Sequence, residues 1–256
     1  MRLGVPVEYD YKFTSELTQS EIEGILLVLN EAYGKWGDEA FFRWKYTENP
    51  DGDSLHVIAY DDGKPVATAG FWRNGPPKIV SYQCVDAAII PSHRRRGIYQ
   101  VALNGCSERL KSAYVYTFTG DASRPTMMNC GWDLTRNIPL KFHLAPMVVR
   151  KYRNLEPIPE AYAEWRFAGN PHQQYFVYKK GGLSLLLSKR RDHVYAVGGV
   201  LPNDLGLEEV RPILLFSYDF PNLPFKIPKK TTYYFIENPI SALYEGYLPS
   251  HYSDQF

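Results

Sequence analysis

The chain has 256 residues, of which 45% are hydrophobic and 22% are charged, and its formal net charge is +1. This composition is ample for packed cores, and the small net charge excludes a general attraction to nucleic acid or to an anionic membrane. No apolar stretch reaches the roughly 20 residues that a membrane-spanning helix needs. The N-terminus also lacks the apolar core of a signal peptide, so we expect a cytoplasmic protein.

The first half of the chain alternates helical and extended patterns. Ser20 to Asn30 carries apolar residues at helical spacing, with Ser20 and Glu23 placed as a capping box. A short helix is predicted over "DEAFFRWKYTENP", followed by a hairpin of "LHVIAY" and "KPVATAGFW" around the turn "DDGK". A strand from Ile79 to about Ile90 then leads through Pro91 and three arginines into a helix from Gly97 to Lys111, whose predicted buried stripe is Ile98, Ala102, Cys106 and Leu110.

Three more elements complete this half: a strand "YVYTFTG", a short helix "SRPTMMNCG" and extended chain over "WDLTRNIPLKFHLAPMVV". The predicted order over residues 1–150 is therefore β-α-α-β-β-β-α-β-α-β. The segment "RKYRNLEPIPE" is charged and holds two prolines, which is typical of a linker. We place a domain boundary near Leu155, which gives domains of residues 1–150 and 155–256.

The second half echoes the first. "FRWKYTENP" aligns with "AEWRFAGNP", and each is followed by a predicted strand and a glycine-containing turn. The matching order of elements indicates a duplication. Strands are predicted over Leu183 to Ser188, His193 to Val200 and "TTYYFI", and a helix over Leu207 to Phe216.

The segment "PSHRRRGIYQ" concentrates positive charge between a strand and a helix. The N-terminus of a helix presents free backbone N–H groups and partial positive charge, and a preceding glycine lets a phosphate approach the backbone closely. Neither the Walker pattern nor the dinucleotide pattern GxGxxG occurs in the chain. The pattern therefore predicts a site for some other diphosphate.

The stretch "VDAAIIPSHRRRGIYQVALNGCSERL" resembles motif A of the GNAT superfamily of acetyl-CoA-dependent N-acetyltransferases, in which a strand runs into [QR]-x-x-G-x-[GA]. Arg94 to Ile98 follow this pattern, whereas Tyr99 stands where a small residue is usual; some members carry an aromatic residue there. "SRPTMMNCGW" resembles the end of a GNAT domain. The resemblance implies an α/β (α+β) fold with a mixed, mostly antiparallel sheet flanked by helices, followed by a second, smaller GNAT-like half.

The resemblance also implies the residues that bind acetyl-CoA. The edge formed by Ala87, Ala88 and Ile89 would meet the pantetheine arm, with the backbone of Ala87 and Ile89 pairing with it. The amides of Arg95 to Tyr99 would hold the pyrophosphate, and Ser123 would lie near the coenzyme. The full set of implied coenzyme contacts is Ala87, Ala88, Ile89, Arg94, Arg95, Arg96, Gly97, Ile98, Tyr99 and Ser123.

Catalysis requires a neutral amine and a proton for the departing thiolate. Relatives often carry a Glu or His on the strand before the arginines, at positions that Gln83 and Val85 occupy here. Asp86 is the nearest carboxylate, although it points to the other face unless a bulge rotates the strand, and Gln83 could orient a water. Met127 occupies the place of the tyrosine that usually acts as the acid. The thiolate would then take its proton from water or from another segment of the chain, with Tyr116 as one candidate substitute, or the domain would be inactive.

The resemblance implies an N-acetyltransferase acting on a primary amine of a small metabolite, with amino sugars as the class that it suggests. Two alternatives stay open: an aminoacyl or peptidyl transferase of the tandem type, and an inactive CoA-binding or interaction module. Nucleic-acid binding ranks last because the arginine run lacks stacking aromatics. The histidines show no metal-ligand spacing, so no metal is predicted. The second half is expected to be a degenerate copy that completes the acceptor cleft, and the tail "HYSDQF" is a candidate dimer contact.

Overall fold

The computed structural model describes residues 7–74, 80–119, 121, 123–138, 141–217 and 233–237. These residues form two compact units by the clustering of their contacts. The first unit runs to Arg136 and takes in the strand from Tyr234 onward, and the second unit begins at Asn137. None of the helices in the described ranges is long and apolar enough to cross a membrane.

The first unit is built on a mixed, mostly antiparallel sheet with helices on its faces. Its strand order is β1-β2-β3-β4-β5-β13-β6, and β4 and β5 are the parallel pair. The strands are β1 (Glu8–Phe13), β2 (Leu55–Asp61), β3 (Lys64–Arg73), β4 (Ser81–Ile89), β5 (Tyr114–Thr119), β6 (Asp133–Ile138) and β13 (Tyr233–Glu237). The helices are α1 (Gln19–Tyr33), α2 (Glu39–Phe42), a π-helix (Arg43–Thr47), α3 (Ile98–Arg109) and α4 (Arg124–Asn129).

The N-cap of the first helix lies two residues earlier than predicted, at Thr18 instead of Ser20. Thr18 and Glu21 form the capping box, with the Thr18 amide donating to Glu21 Oε2 at 2.8 Å, so the assignment of Ser20 and Glu23 as the box was wrong. Both pairs fit the S/T-x-x-E pattern, and the earlier one lets α1 gain a further half turn. The helix ends at Gly34, whose φ of 82° suits glycine.

The predicted stripe of α3 is confirmed. All four residues are at most 5% exposed. Ala102, Cys106 and Leu110 pack in a core that includes Phe71, Val115 and Trp132, and Ile98 packs in a second cluster with Ala59 and Val66. Gly105 faces the same way, because a Cβ there would lie 2.0 Å from the Tyr11 hydroxyl. The packing of this stripe against the sheet therefore positions the N-terminus of α3 beside the end of β4.

The second unit contains a sheet of order β11-β8-β9-β10-β12-β7. Its elements are β7 (Lys141–Leu144), α5 (Ala145–Tyr152), α6 (Glu160–Ala163), a second π-helix (Glu164–Ala168), β8 (Tyr175–Lys180), β9 (Leu183–Arg191), β10 (Val194–Val200), β11 (Glu208–Glu209) and β12 (Leu214–Ser217). The core of this unit holds Leu185, Leu187, Val197 and Leu215.

Two assignments of secondary structure in this part of the chain were wrong. The helix predicted over Leu207 to Phe216 is absent, and β11 and β12 lie there instead. Pro212 lacks an N–H for a helical hydrogen bond, and the residues after it pair with β10. The stretch predicted as extended over Trp132 to Val149 turns helical at Ala145, where Pro146 occupies the first turn of α5.

The two units repeat one order of elements. In each, a short α-helix continues as a π-helix, and the two π-helices occupy matching positions in the aligned segments "FRWKYTENP" and "AEWRFAGNP". Then β2-β3-β4-β5 and β8-β9-β10-β12 each pair antiparallel, antiparallel and parallel. The two units are thus similar in the nine-residue aligned segments and also in the order and pairing of the strands that follow them.

Candidate functional site

The central feature of the first unit is a gap between β4 and β5. The two strands pair over only three positions, the last being Gln83 with Tyr116. At the next position the Thr117 hydroxyl donates to the Cys84 carbonyl at 2.9 Å. Beyond Cys84, no strand in the described chain pairs with this edge of β4. The parallel strands therefore diverge and leave one backbone edge of β4 open.

The register of β4 on β3 determines which backbone groups point into the gap. The Ile90 amide donates to the Val66 carbonyl at 3.0 Å, and Ala88 lies opposite Thr68. Because antiparallel pairs alternate, Ile89 and Ala87 direct their N–H and C=O groups away from β3. The two residues predicted to pair with the pantetheine arm thus present their backbone at the open edge, while Ala88 faces β3.

A β-bulge at Asp86 separates this edge from the paired part of β4. The register shifts between Thr68 and Gly70, and Asp86 takes a φ of 50°. Without a bulge, the alternation of the strand would point Asp86 to the opposite face from Gln83 and Val85, so this bulge is what changes its direction. The bulge bends β4 where it parts from β5.

The Asp86 carboxylate is held by three donors. Its Oδ1 accepts from Trp36 Nε1 at 2.9 Å, and its Oδ2 accepts from the Tyr46 hydroxyl and lies 3.0 Å from Lys45 Nζ. Lys45 and Asp86 have side-chain exposures of 3% and 8%. Tyr46 reaches the carboxylate across β3 at Gly70, where a Cβ would lie 2.5 Å from the hydroxyl oxygen. The bulge is therefore tied to the π-helix by a buried ion pair.

The basic loop joins β4 to α3 with two residues in left-handed backbone. Arg95 has a φ of 63° and Gly97 a φ of 75°, and Gly97 is the N-cap of α3. The first helical bond closes from the Val101 amide to the Gly97 carbonyl at 3.3 Å. The amides of Ile98, Tyr99 and Gln100 thus have no partner within the helix, as at any helix N-terminus.

Asp61, at the end of β2, anchors this loop. Its Oδ2 lies 2.8 Å from His93 Nε2 and 3.3 Å from Arg96 Nη1. The hydrogen bond from His93, with that from Arg96, lowers the pKa of Asp61. Arg94 turns the other way and donates from Nε to the Ile89 carbonyl at 3.1 Å. The loop is therefore held at both sides, by β2 and by the open edge.

Tyr99 takes the place of the small residue usual in the motif because its ring packs into the core. Its hydroxyl lies 3.8 Å from Cys84 Sγ. Burial, with the neighbouring Cys84, raises the pKa of Tyr99 well above its ordinary value. Burial likewise raises the pKa of the Cys84 thiol to about 12, so Cys84 stays protonated and is no nucleophile at neutral pH.

Gln83, Tyr116 and Ser123 lie beside the gap without reaching its open edge. Gln83 is 1% exposed and its Oε1 accepts from Asn74 Nδ2 at 2.7 Å, while the Tyr116 hydroxyl, fully buried, donates to the Asn74 carbonyl at 3.1 Å. Ser123 is hydrogen-bonded to the Thr119 hydroxyl at the start of α4. Asn74 thus links the two candidate residues where β4 and β5 are still paired.

Sequence reasoning missed the loop between α1 and α2. Tyr33 donates its hydroxyl to the Ala87 carbonyl at 2.6 Å, and Trp36 binds Asp86 as described above. The signal for this loop is the stretch "YGKWGD", in which two aromatic residues alternate with glycines between helices. Asp61 was also missed, although the acidic turn "DDG" lies next to a predicted strand end.

Among the described residues, no cluster of three or more His, Cys, Asp or Glu side chains is placed to hold a metal ion. The arrangement instead offers backbone hydrogen-bonding groups along an extended edge, then a cationic loop and the amides of a helix N-terminus. Such an arrangement suits an extended amide-containing ligand that ends in phosphates.

Comparisons with known proteins agree with this geometry. Residues 22–129 match the model of the Acetyltransferase (GNAT) family. No curated protein matches the chain.

Three solved structures have a similar fold over most of the chain. A GCN5-related N-acetyltransferase from Kribbella flavida is 14% identical, with a TM-score of 0.55 over 90% of this chain and 71% of that one. A conserved protein of unknown function from Enterococcus faecalis V583 is 10% identical, with a TM-score of 0.57 over 91% and 73%. A GCN5-related N-acetyltransferase from Anabaena variabilis is 10% identical, with a TM-score of 0.53 over 90% and 73%. Residues 22–129, within the first unit, thus match an acetyltransferase domain of the GNAT family in sequence, and the three solved structures agree with that fold.

Proposed function

We propose that the protein transfers an acetyl group from acetyl-CoA to a primary amine of a small metabolite, with amino sugars as the first class to test. The observation that carries the proposal is the open edge of β4 at Ala87 and Ile89, which continues into the cationic loop and the N-terminus of α3. Acetyl-CoA matches this succession of groups, because its pantetheine arm contains two amides and leads to a pyrophosphate.

The phosphate end of the coenzyme is assigned to the loop. The amides from Arg95 to Tyr99 lie at the N-terminus of α3, and Gly97 leaves space there, since nothing lies within 4 Å of a Cβ built on it. Arg94, Arg95 and Arg96 are exposed and supply positive charge for the pyrophosphate and the 3′-phosphate. Asp61 takes up part of that charge and holds Arg96 in place.

The pantetheine end is assigned to the edge itself. The backbone of Ala87 and Ile89 would pair with the two amides of the arm, as an added strand would. Ala88 is turned toward β3 and buried, so its part is to support the edge. The arm then leads toward the bulge at Asp86, where the thioester would lie.

We assign Asp86 a positioning role in this site. Its carboxylate is buried and already accepts from Trp36 and Tyr46 beside Lys45, so it stabilises the bulge and the α1–α2 loop together. Gln83 and Tyr116 support the base of the gap through Asn74. Ser123 is hydrogen-bonded to Thr119 at the end of β5, on the other side of the gap from β4. It is the coenzyme contact that we propose on that side.

The second unit is proposed to be a degenerate copy that binds no coenzyme. Its β10 carries a bulge between Val197 and Gly199, as β4 does at Asp86. The edge beyond this bulge is occupied, because the Ile158 amide donates to the Val200 carbonyl at 2.8 Å. Asp204 in the following loop and Glu209 in β11 carry negative charge, which would repel a pyrophosphate. Its share in an acceptor cleft stays a prediction.

Turnover tests the proposal directly. We expect the full chain, mixed with acetyl-CoA and a panel of primary amines that includes glucosamine, to release CoA thiol faster than it does without amine. Binding of acetyl-CoA without release for any amine would support the alternative of a CoA-binding module. A shift of tRNA mobility at moderate salt would support the aminoacyl or peptidyl transferase, which the net charge of +1 disfavours.

A further inference from the structure

Tyr33 lies at the open edge of β4, in a position that no part of the family motif marks. It is the last residue of α1, and its hydroxyl donates to the Ala87 carbonyl at 2.6 Å. The residue is 55% exposed, and Gly34 follows it with a φ of 82°. The side chain therefore reaches the edge from the solvent-exposed end of α1.

The Ala87 carbonyl is one of the acceptors that the proposed pairing with pantetheine requires. A carbonyl oxygen has two lone pairs, so an N–H of the arm would either share the Ala87 carbonyl with the Tyr33 hydroxyl or take over that bond. In both cases the hydroxyl would stay close to the arm, because the α1–α2 loop is held at Asp86 by Trp36 Nε1. Ala87 is the residue next to the bulge, so this end of the arm is the one that carries the thioester.

The other hydroxyls of tyrosines around the described gap have buried structural bonds. Tyr46 donates to Asp86, Tyr116 donates to Asn74 and Tyr99 lies against Cys84. Met127, which takes the place of the tyrosine usual in α4, is 2% exposed and has no proton to give.

We propose that Tyr33 protonates the thiolate of CoA as it leaves. The inference rests on the proposed function and adds the proton donor to it. The amine nitrogen attacks the thioester carbonyl carbon, the C–S bond breaks with its electron pair on sulfur, and sulfur takes the proton of the Tyr33 hydroxyl. The phenolate regains a proton from the ammonium formed on the acceptor, through solvent. Thiol and amide are thereby formed with no net change in Tyr33.

Tyr33→Phe tests the proposal because it removes one oxygen from an exposed ring. We expect kcat with the best amine of the panel to fall by about tenfold to a hundredfold, within or just below the usual range for a general acid since water can substitute in part. The Kd for acetyl-CoA, measured separately by calorimetry, should be unchanged or slightly lower, because the competitor for the Ala87 carbonyl is gone. The matched control is Tyr60→Phe on β2, half-exposed among Lys12, Asp10 and Glu21, which should leave both constants unchanged.

An unchanged kcat in Tyr33→Phe would overturn the inference. A loss of kcat accompanied by an equal loss of acetyl-CoA affinity would also overturn it, since the hydroxyl would then only support the edge. Failure of the proposed function looks different, because in that case the wild-type protein itself binds acetyl-CoA without turnover or does not bind it.

Discussion

Gly97→Glu is expected to weaken acetyl-CoA binding by roughly a thousandfold, or about 4 kcal/mol, because it places a carboxylate among the amides that would hold the pyrophosphate. Charge-assisted hydrogen bonds contribute about 1.5–3 kcal/mol each, and the substitution removes at least two while adding repulsion. The space around a Cβ at Gly97 is open, so the effect comes from charge and occupancy of the site and not from a clash with the core. Calorimetric titration of acetyl-CoA into the wild-type protein and into Gly97→Glu measures the change in Kd.

Gly182→Glu is the matched control for that substitution. Gly182 follows β8 in the turn before β9, has a φ of 79° against 75° for Gly97, and likewise has nothing within 4 Å of a built Cβ. Both variants therefore carry a similar backbone strain of about 1 kcal/mol or slightly more. Equal affinity for acetyl-CoA in the two variants would contradict the assignment of the pyrophosphate to the arginine loop.

Lys45→Met is expected to lower the free energy of unfolding of the first unit by about 3–5 kcal/mol, the usual effect of leaving one partner of a buried ion pair alone. Lys45 Nζ lies 3.0 Å from Asp86 and also stands over the ring of Trp72, 5.1 Å from its centroid. Methionine retains most of the apolar stem, so the loss is mainly electrostatic. Denaturant unfolding measures the change.

Arg43→Met provides the comparison on the same π-helix. Arg43 pairs with Glu39 in solvent, with side-chain exposures of 54% and 42%, so we expect a stability close to that of the wild type. A similar loss in both variants would show that the helix is sensitive to any substitution. A loss below about 1 kcal/mol in Lys45→Met would mean that Asp86 is not the buried partner that the structure describes.

The order of elements around the site was predictable because its signals are local. The apolar stripe of α3, the turn "DDGK" and the glycine after the arginines each fix a conformation within a few residues. The resemblance to the GNAT motif predicted that Ala87 and Ile89 pair with the pantetheine arm. The register directs their backbone into the gap, and the pairing with the coenzyme stays a prediction. The repeated tryptophan segments likewise drew attention to two π-helices at matching positions.

Other parts of the site depend on pairing between distant segments, which periodicity does not report. The gap exists because β5 leaves β4 after Gln83 and continues beside β13, more than a hundred residues later in the chain. Tyr33, at the end of α1, and Trp36, in the loop after it, reach β4 through a stretch whose sequence has no period. The prediction of a helix over Leu207 to Phe216 was wrong for a different reason. It followed the helical spacing of the apolar residues and neglected Pro212, which interrupts a helix.

The central claim is that CoA binds to the backbone amides of β4 and the start of α3, and not to the corresponding strand β10 of the second unit. Hydrogen exchange with and without CoA tests this claim most directly. We predict that CoA protects peptides covering residues 84–100, where the edge and the helix N-terminus are open, and leaves peptides covering residues 194–206 unchanged, where Ile158 already occupies the edge. Protection confined to any other part of the chain, or equal protection of both segments, would contradict the account.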